Sequence, residues 1–165
     1  PVSVALYSAA EQLYRGAQAL YQPLTQSLYP YMTKNRDLTL FYRIMSGVLL
    51  LSIIGVSIGF MIGRDILVFI FGNQFSESYP ILIGFMFTFL VTAPSILLGY
   101  PLLGALGDTK SANYSVFLGG GVQVVILVDL YLLEVQDGVF VVGAVLIAEL
   151  CVLLFRIAKA RKILS

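Results

Sequence analysis

An all-α bundle of membrane-spanning helices is the fold class this sequence predicts, and three observations predict it. Hydrophobic residues make up 59% of the 165-residue chain and charged residues only 12%, where a soluble domain carries about a quarter charged. Five apolar stretches each reach the roughly 20 residues that a helix rising about 1.5 Å per residue needs to cross a bilayer core. The basic residues between them fall on alternate connectors, as the bias of Lys and Arg toward the cytoplasm requires. A water-soluble apolar bundle would have too little charge to cover its surface.

The first stretch, Ala5 to Met32, reads as one long helix with an unusual polar content. At about 100° per residue, Glu11, Arg15, Gln18, Gln22 and Gln26 fall within an arc of about 80°, opposite Leu6, Leu13, Leu20, Leu24 and Leu28. Charge inside a membrane costs a few kcal/mol against lipid, which aims the stripe at a bundle interior or a wet cavity. Glu11 and Arg15, acid before base at i and i+4, are placed to shield each other. The structural alternative is a salt bridge and amide ladder that lock one helix to another. Pro23 predicts a kink within this helix.

The second stretch, Phe41 to Ile62, carries Gly55 and Gly59, with Gly63 following at the same four-residue interval; small residues so spaced let helix backbones approach closely. The connector "GRDILVFIFGNQFSES" contains an apolar run, Ile66 to Phe71, too short to cross, which predicts a short helix on the outer interface. The third stretch, Tyr79 to Leu103, contains Pro94 and is expected to bend there. The fourth, Ala112 to Leu133, has a Gly119-Gly120-Gly121 run whose apolar setting favours close packing over phosphate binding. The fifth, Val139 to Ile157, has Ala144 and Ala148 at packing interval. Two acids lie in these last spans. Glu149, near the middle of the fifth, is a candidate ion-coupling group; Asp129, near the outer end of the fourth, is a second candidate whose position also suits a plain interfacial residue.

Lys34, Arg36, Arg43, Lys110, Arg156, Lys159, Arg161 and Lys162, eight of the ten cations, share one side in a five-span chain. Arg64 stands opposite with Asp65, Glu77, Glu134 and Asp137. This places the N-terminus outside and the C-terminus in the cytoplasm.

Composition also narrows the chemistry. A net charge of +1 provides no field for nucleic acid. With no histidine and the single cysteine Cys151, the usual zinc sites and Ser/His or Cys/His pairs are absent, so neither a metal, nor a cofactor, nor enzyme activity is expected. No linker divides the chain, so residues 1 to 165 read as one domain. It opens on Pro1 without a basic n-region or cleavage site, which predicts a fragment rather than a signal peptide and secreted domain.

"YSAAEQL" leading into "PLTQSLYPYMTK", then "FIFGNQFSES" and "LLGALGDTK", resembles the C-terminal half of the bacterial O-antigen flippases, the Wzx-like branch of the multidrug/oligosaccharidyl-lipid/polysaccharide exporter superfamily. The resemblance covers nearly the whole chain; the second segment is specific to the polysaccharide branch, the last is found more widely. It implies a two-lobe exporter of about twelve helices around a central cavity, of which this chain supplies the last five, with an N-terminal half as partner. It implies flipping of an undecaprenyl-diphosphate-linked oligosaccharide across the bacterial inner membrane by alternating access for O-antigen and lipopolysaccharide assembly, beside a polysaccharide polymerase. Arg15 would draw the diphosphate, and Gln18, Gln22 and Gln26 the sugar hydroxyls. The related lipid II flippases place arginine directly after the acid, where this chain has Glu11-Gln12; here the cation comes one turn later, at Arg15. Two alternatives stand beside this reading: a cation-coupled drug exporter of the same superfamily, and a non-transporting scaffold for assembly enzymes.

Overall fold

The computed structural model describes residues 2–135 and 137–164, so Pro1, the expected fragment start, lies outside the described residues. Six α-helices follow one another, and no strand occurs among the described residues. The chain is an all-α bundle. Four helical stretches are long and apolar enough to cross a membrane: Leu38–Phe71, Asn73–Gly104, Thr109–Leu132 and Gly138–Leu164.

The expected single first helix is two, α1 (Val2–Ala19) and α2 (Gln22–Asn35). Pro23 is the cause. It has no N–H to return to the carbonyl four residues back, so the chain tightens beforehand, with Leu20 N–H donating to Ala17 O at 3.3 Å and Tyr21 N–H to Gln18 O at 3.0 Å. Helix geometry restarts with Thr25 N–H on Tyr21 O at 3.0 Å. Neither piece is among the long apolar helices, yet together they run beside the third span from end to end. Tyr7 lies near Gly138 and Ile81, and Leu28 and Met32 pack in one cluster with Leu102 and Leu103.

Arg36, in the left-handed region at φ 49°, turns the chain, and Asp37 caps α3 (Leu38–Phe71) by accepting from Leu40 N–H at 2.9 Å. At about 1.5 Å per residue, the 34 residues of α3 outrun a bilayer core. The separate interfacial helix expected over Ile66 to Phe71 is instead the last part of α3. Gly63 fails to break it because it is buried against Tyr79, Leu82 and Met86. The helix stops where Gly72 takes φ 101°, a conformation other residues avoid.

A 3₁₀ turn, Asn73–Ser78, leads into α4 (Tyr79–Leu97) and a π-helical segment, Leu98–Gly104. The helix passes through Pro94; its irregularity falls later, at Gly99 (ψ −117°), just before Pro101. The second proline denies Leu97 O its ordinary i+4 donor. Gly107, at φ 97°, makes the next turn. Asp108 caps α5 (Thr109–Leu132) by accepting from Ser111 N–H at 3.0 Å, and Asp137 accepts from Val139 N–H at 2.9 Å at the start of α6 (Gly138–Leu164).

The Asp108 carboxyl is held below the usual carboxylate range by its hydrogen bonds to Ser111. A group with a depressed folded pKa contributes stability above its unfolded value, about 4, and loses it as pH falls through the folded one. Asp108→Ala should cost about 1 kcal/mol; Asp108→Asn should keep the cap but lose its pH dependence. Thermal unfolding in detergent across pH 3 to 7 checks both.

Helix α6 packs against α4 and α5, and α3 and α1 flank α4. The closest approach is at Gly84, where an added Cβ would sit 2.2 Å from Val142 Cγ1; at Gly119 it would sit 2.6 Å from Val152 Cγ2. Ala144 and Ala148 are buried as expected for packing residues. Gly59 and Gly63 abut Met86, whereas nothing approaches Gly55, Gly120 or Gly121. The core divides into one cluster around Ala10, Leu67, Phe85 and Val142, toward the Gly72 turn, and another around Met32, Phe41, Leu97 and Leu103, toward the Gly107 turn.

Candidate functional site

On α1 the expected ion pair forms. Arg15 Nη2 and Nε donate to Glu11 Oε1 at 2.8 and 3.1 Å. The Arg15 side chain is 71% exposed and that of Glu11 29%, so the pair lies on the rim of the bundle and is not enclosed by it. One turn on, Gln18 Nε2 donates to Tyr14 Oη at 2.7 Å, and Tyr14 Oη lies 3.1 Å from Thr92 Oγ1 on α4. Tyr14 is fixed there by stacking on Phe85, centroids 4.8 Å apart.

The stripe is not continuous. The break before Pro23 separates Gln22 and Gln26 from Gln18, and both are exposed on α2. Asp129 is exposed on α5 and does not line the cleft described next.

That cleft, about 400 Å³, opens between α1, α4, α5 and α6. Its polar lining is Gln18, Thr92, Gln123, Glu149 and Arg156. Two of these, Gln18 and Glu149, are residues the sequence singles out; the fold joins them from the first and last helices. Gln123 and Arg156 were not anticipated. Arg156, counted above as a cation marking the cytoplasmic side, is 9% exposed inside the bundle. Its Nε donates to Ser115 Oγ at 2.9 Å, and its Nη1 donates to Ser95 O at 2.6 Å and Ser95 Oγ at 3.2 Å. The other seven cations on that side leave the charge bias intact. Both residues carried a readable signal: Gln123 is a lone amide in an apolar run, and Arg156 falls two turns from Glu149, on the same face of the same span.

The arrangement provides, within a membrane-type bundle, amide and hydroxyl groups, one carboxylate and one guanidinium around a common space. Beside it, between α1, α3 and α4, lies a second cleft of about 240 Å³ with an apolar wall that includes Leu13, Tyr14, Val56, Phe85 and Phe89. No group of His, Cys, Asp and Glu suited to a metal ion occurs among the described residues.

No family model, curated protein or solved structure matches this chain. The likeness to the O-antigen flippases rests on the segments quoted above.

Proposed function

We propose that this chain is one lobe of a flippase that carries an undecaprenyl-diphosphate-linked oligosaccharide from the inner to the outer leaflet of a bacterial inner membrane, by alternating access, for surface polysaccharide assembly. The observation that carries the reading is the convergence of Gln18, Thr92, Gln123, Glu149 and Arg156 on one cleft. Polar side chains so placed cost stability in a membrane unless they serve a solvated path or a polar ligand. Amides and hydroxyls hydrogen-bond sugar hydroxyls, and guanidinium pairs with phosphate in a planar fork. The exposed polar groups of α1 and α2, Arg15, Gln22 and Gln26, face away from this lobe's core. In a bilayer they need cover, and an N-terminal half supplies it across a central cavity. The charge bias orients the protein with its C-terminus in the cytoplasm.

The test is complementation. In a strain lacking its flippase, the full-length protein restores surface polysaccharide; Gln123→Leu, which removes the amide at nearly unchanged size, should cut this at least tenfold with membrane abundance unchanged. Normal polysaccharide with Gln123→Leu would refute the site.

The apolar cleft beside Tyr14, Phe85 and Phe89 favours one other reading, a cation-coupled exporter of flat apolar drugs. Dye efflux from the same cells separates the two: the flippase reading expects none.

A further inference from the structure

The geometry points to Arg156 as the latch of a hinge in α4, released when a phosphate group of the ligand enters the cleft and takes the guanidinium from Ser95. The phosphate part of this inference rests on the transport reading; the latch rests on contacts alone. Three features place it. The backbone of α4 leaves helical geometry at Gly99 and runs on as the π segment Leu98–Gly104. The Arg156 guanidinium lies directly against that point, since a Cβ on Gly99 would come within 3.1 Å of both Cζ and Nη1. Its hydrogen bonds reach Ser95, one turn before the break, and Ser115 on α5. One side chain of α6 thus ties α4 and α5 together at the place where α4 is free to bend.

All three acceptors are uncharged. Arg156 is thus a buried cation held by neutral groups, with the Glu149 carboxylate coupled to it only across the cleft. The present bonds are assisted only by the charge of the donor; an anionic phosphate oxygen adds an opposite charge on the acceptor and can take two prongs of the guanidinium fork at once. This difference favours exchange of Ser95 for phosphate. Glu149 lines the same cleft, two turns nearer the outer end of α6 and outside ion-pair distance of Arg156. With Gln18 and Gln123, it is placed to meet the hydroxyls of an attached sugar.

Release has somewhere to go. The π segment is packed on α2 through Leu102, Leu103 and the edge contact of Tyr29 with Tyr100, centroids 6.2 Å apart. Helix α2 is itself joined to α1 only by the break at Leu20 and Tyr21. Helix α2 and residues 98–104 therefore form one packed unit, resting on α5 and α6, whose links to α1 and to α4 are both irregular; Arg156 fastens the link to α4.

The experiment uses full-length protein in liposomes with Cys151→Ser, spin labels at Gln26→Cys on α2 and Phe117→Cys on α5, and inorganic pyrophosphate as the probe. Pyrophosphate should shift the inter-label distance in otherwise unmodified protein. Arg156→Gln should show the shifted distance without pyrophosphate and no further response. Ser95→Ala removes the hydroxyl acceptor that phosphate displaces and should lower the pyrophosphate concentration for half the shift severalfold. It decides the matter if Arg156→Gln does not fold. An unmoved distance with pyrophosphate, an Arg156→Gln distance equal to that of the parent, or an unchanged midpoint in Ser95→Ala would each overturn the latch. If the labels move as expected but the protein carries no lipid-linked oligosaccharide, the latch holds and the transport reading fails.

Discussion

Gly84→Leu should remove most of the folded protein from the membrane. Gly84 on α4 faces Val142 on α6 so closely that even a methyl carbon would sit 2.2 Å from Val142 Cγ1. Leucine forces the two helices apart and opens the core cluster where Ala10, Phe85 and Val142 are almost fully buried. Overpacking of this kind costs about 1 to 3 kcal/mol, and more where backbones must move. Such a loss can lower the amount of folded protein several-fold. Fluorescence-detected size-exclusion should show a collapsed monodisperse peak. Val142→Ala in the same chain makes room and should restore part of it; a normal peak for Gly84→Leu alone would mean that α4 and α6 are not in contact.

Arg15→Gln should abolish transport at normal abundance. Arg15 presents most of its side chain outward while two of its nitrogens hold Glu11, which leaves the rest of the guanidinium fork for the ligand that the transport reading proposes. Arg15→Lys keeps the charge but loses the fork and should retain partial function. If the arginine serves only Glu11, the effect lies in abundance, because Arg15→Gln strands a half-covered carboxylate within the membrane. Adding Glu11→Gln then rescues it. Recovery of both abundance and polysaccharide in the double variant would reduce the pair to a structural salt bridge; loss of transport at normal abundance in the single and double variants is the expected result.

Helix positions were legible because a membrane span is set by length and apolar content, both written plainly in the chain. The caps were missed although their signal is local: Asp37 and Asp108 sit directly before Leu38 and Thr109, where α3 and α5 begin. What else sequence reasoning missed depends on neighbours. The run Ile66 to Phe71 continues α3 because Gly63 is packed under Met86 and does not interrupt the helix. Pro94 and Pro101 look alike in the sequence, but the non-helical backbone falls beside the second, where Gly99 leaves space for a guanidinium. Arg156 read as an ordinary positive-inside residue, since burial among Ser95, Ser115 and Gly99 is a tertiary fact. The polar stripe was only half legible because Pro23 interrupts the 3.6-residue period on which the alignment of Gln22 and Gln26 with Gln18 depends.

The central claim is that the cleft lined by Gln18, Gln123 and Glu149 is a wet path through the bundle and not a sealed polar lock. Single cysteines at positions 18 and 123, in full-length protein with Cys151→Ser, measure this directly by their reaction with a small charged thiol reagent in intact membranes, beside a control at the exposed, apolar Val125. The account predicts rapid modification at 18 and 123, slowed by lipid-linked oligosaccharide, and none at 125. Protection of 18 and 123 to the level of 125 would contradict it.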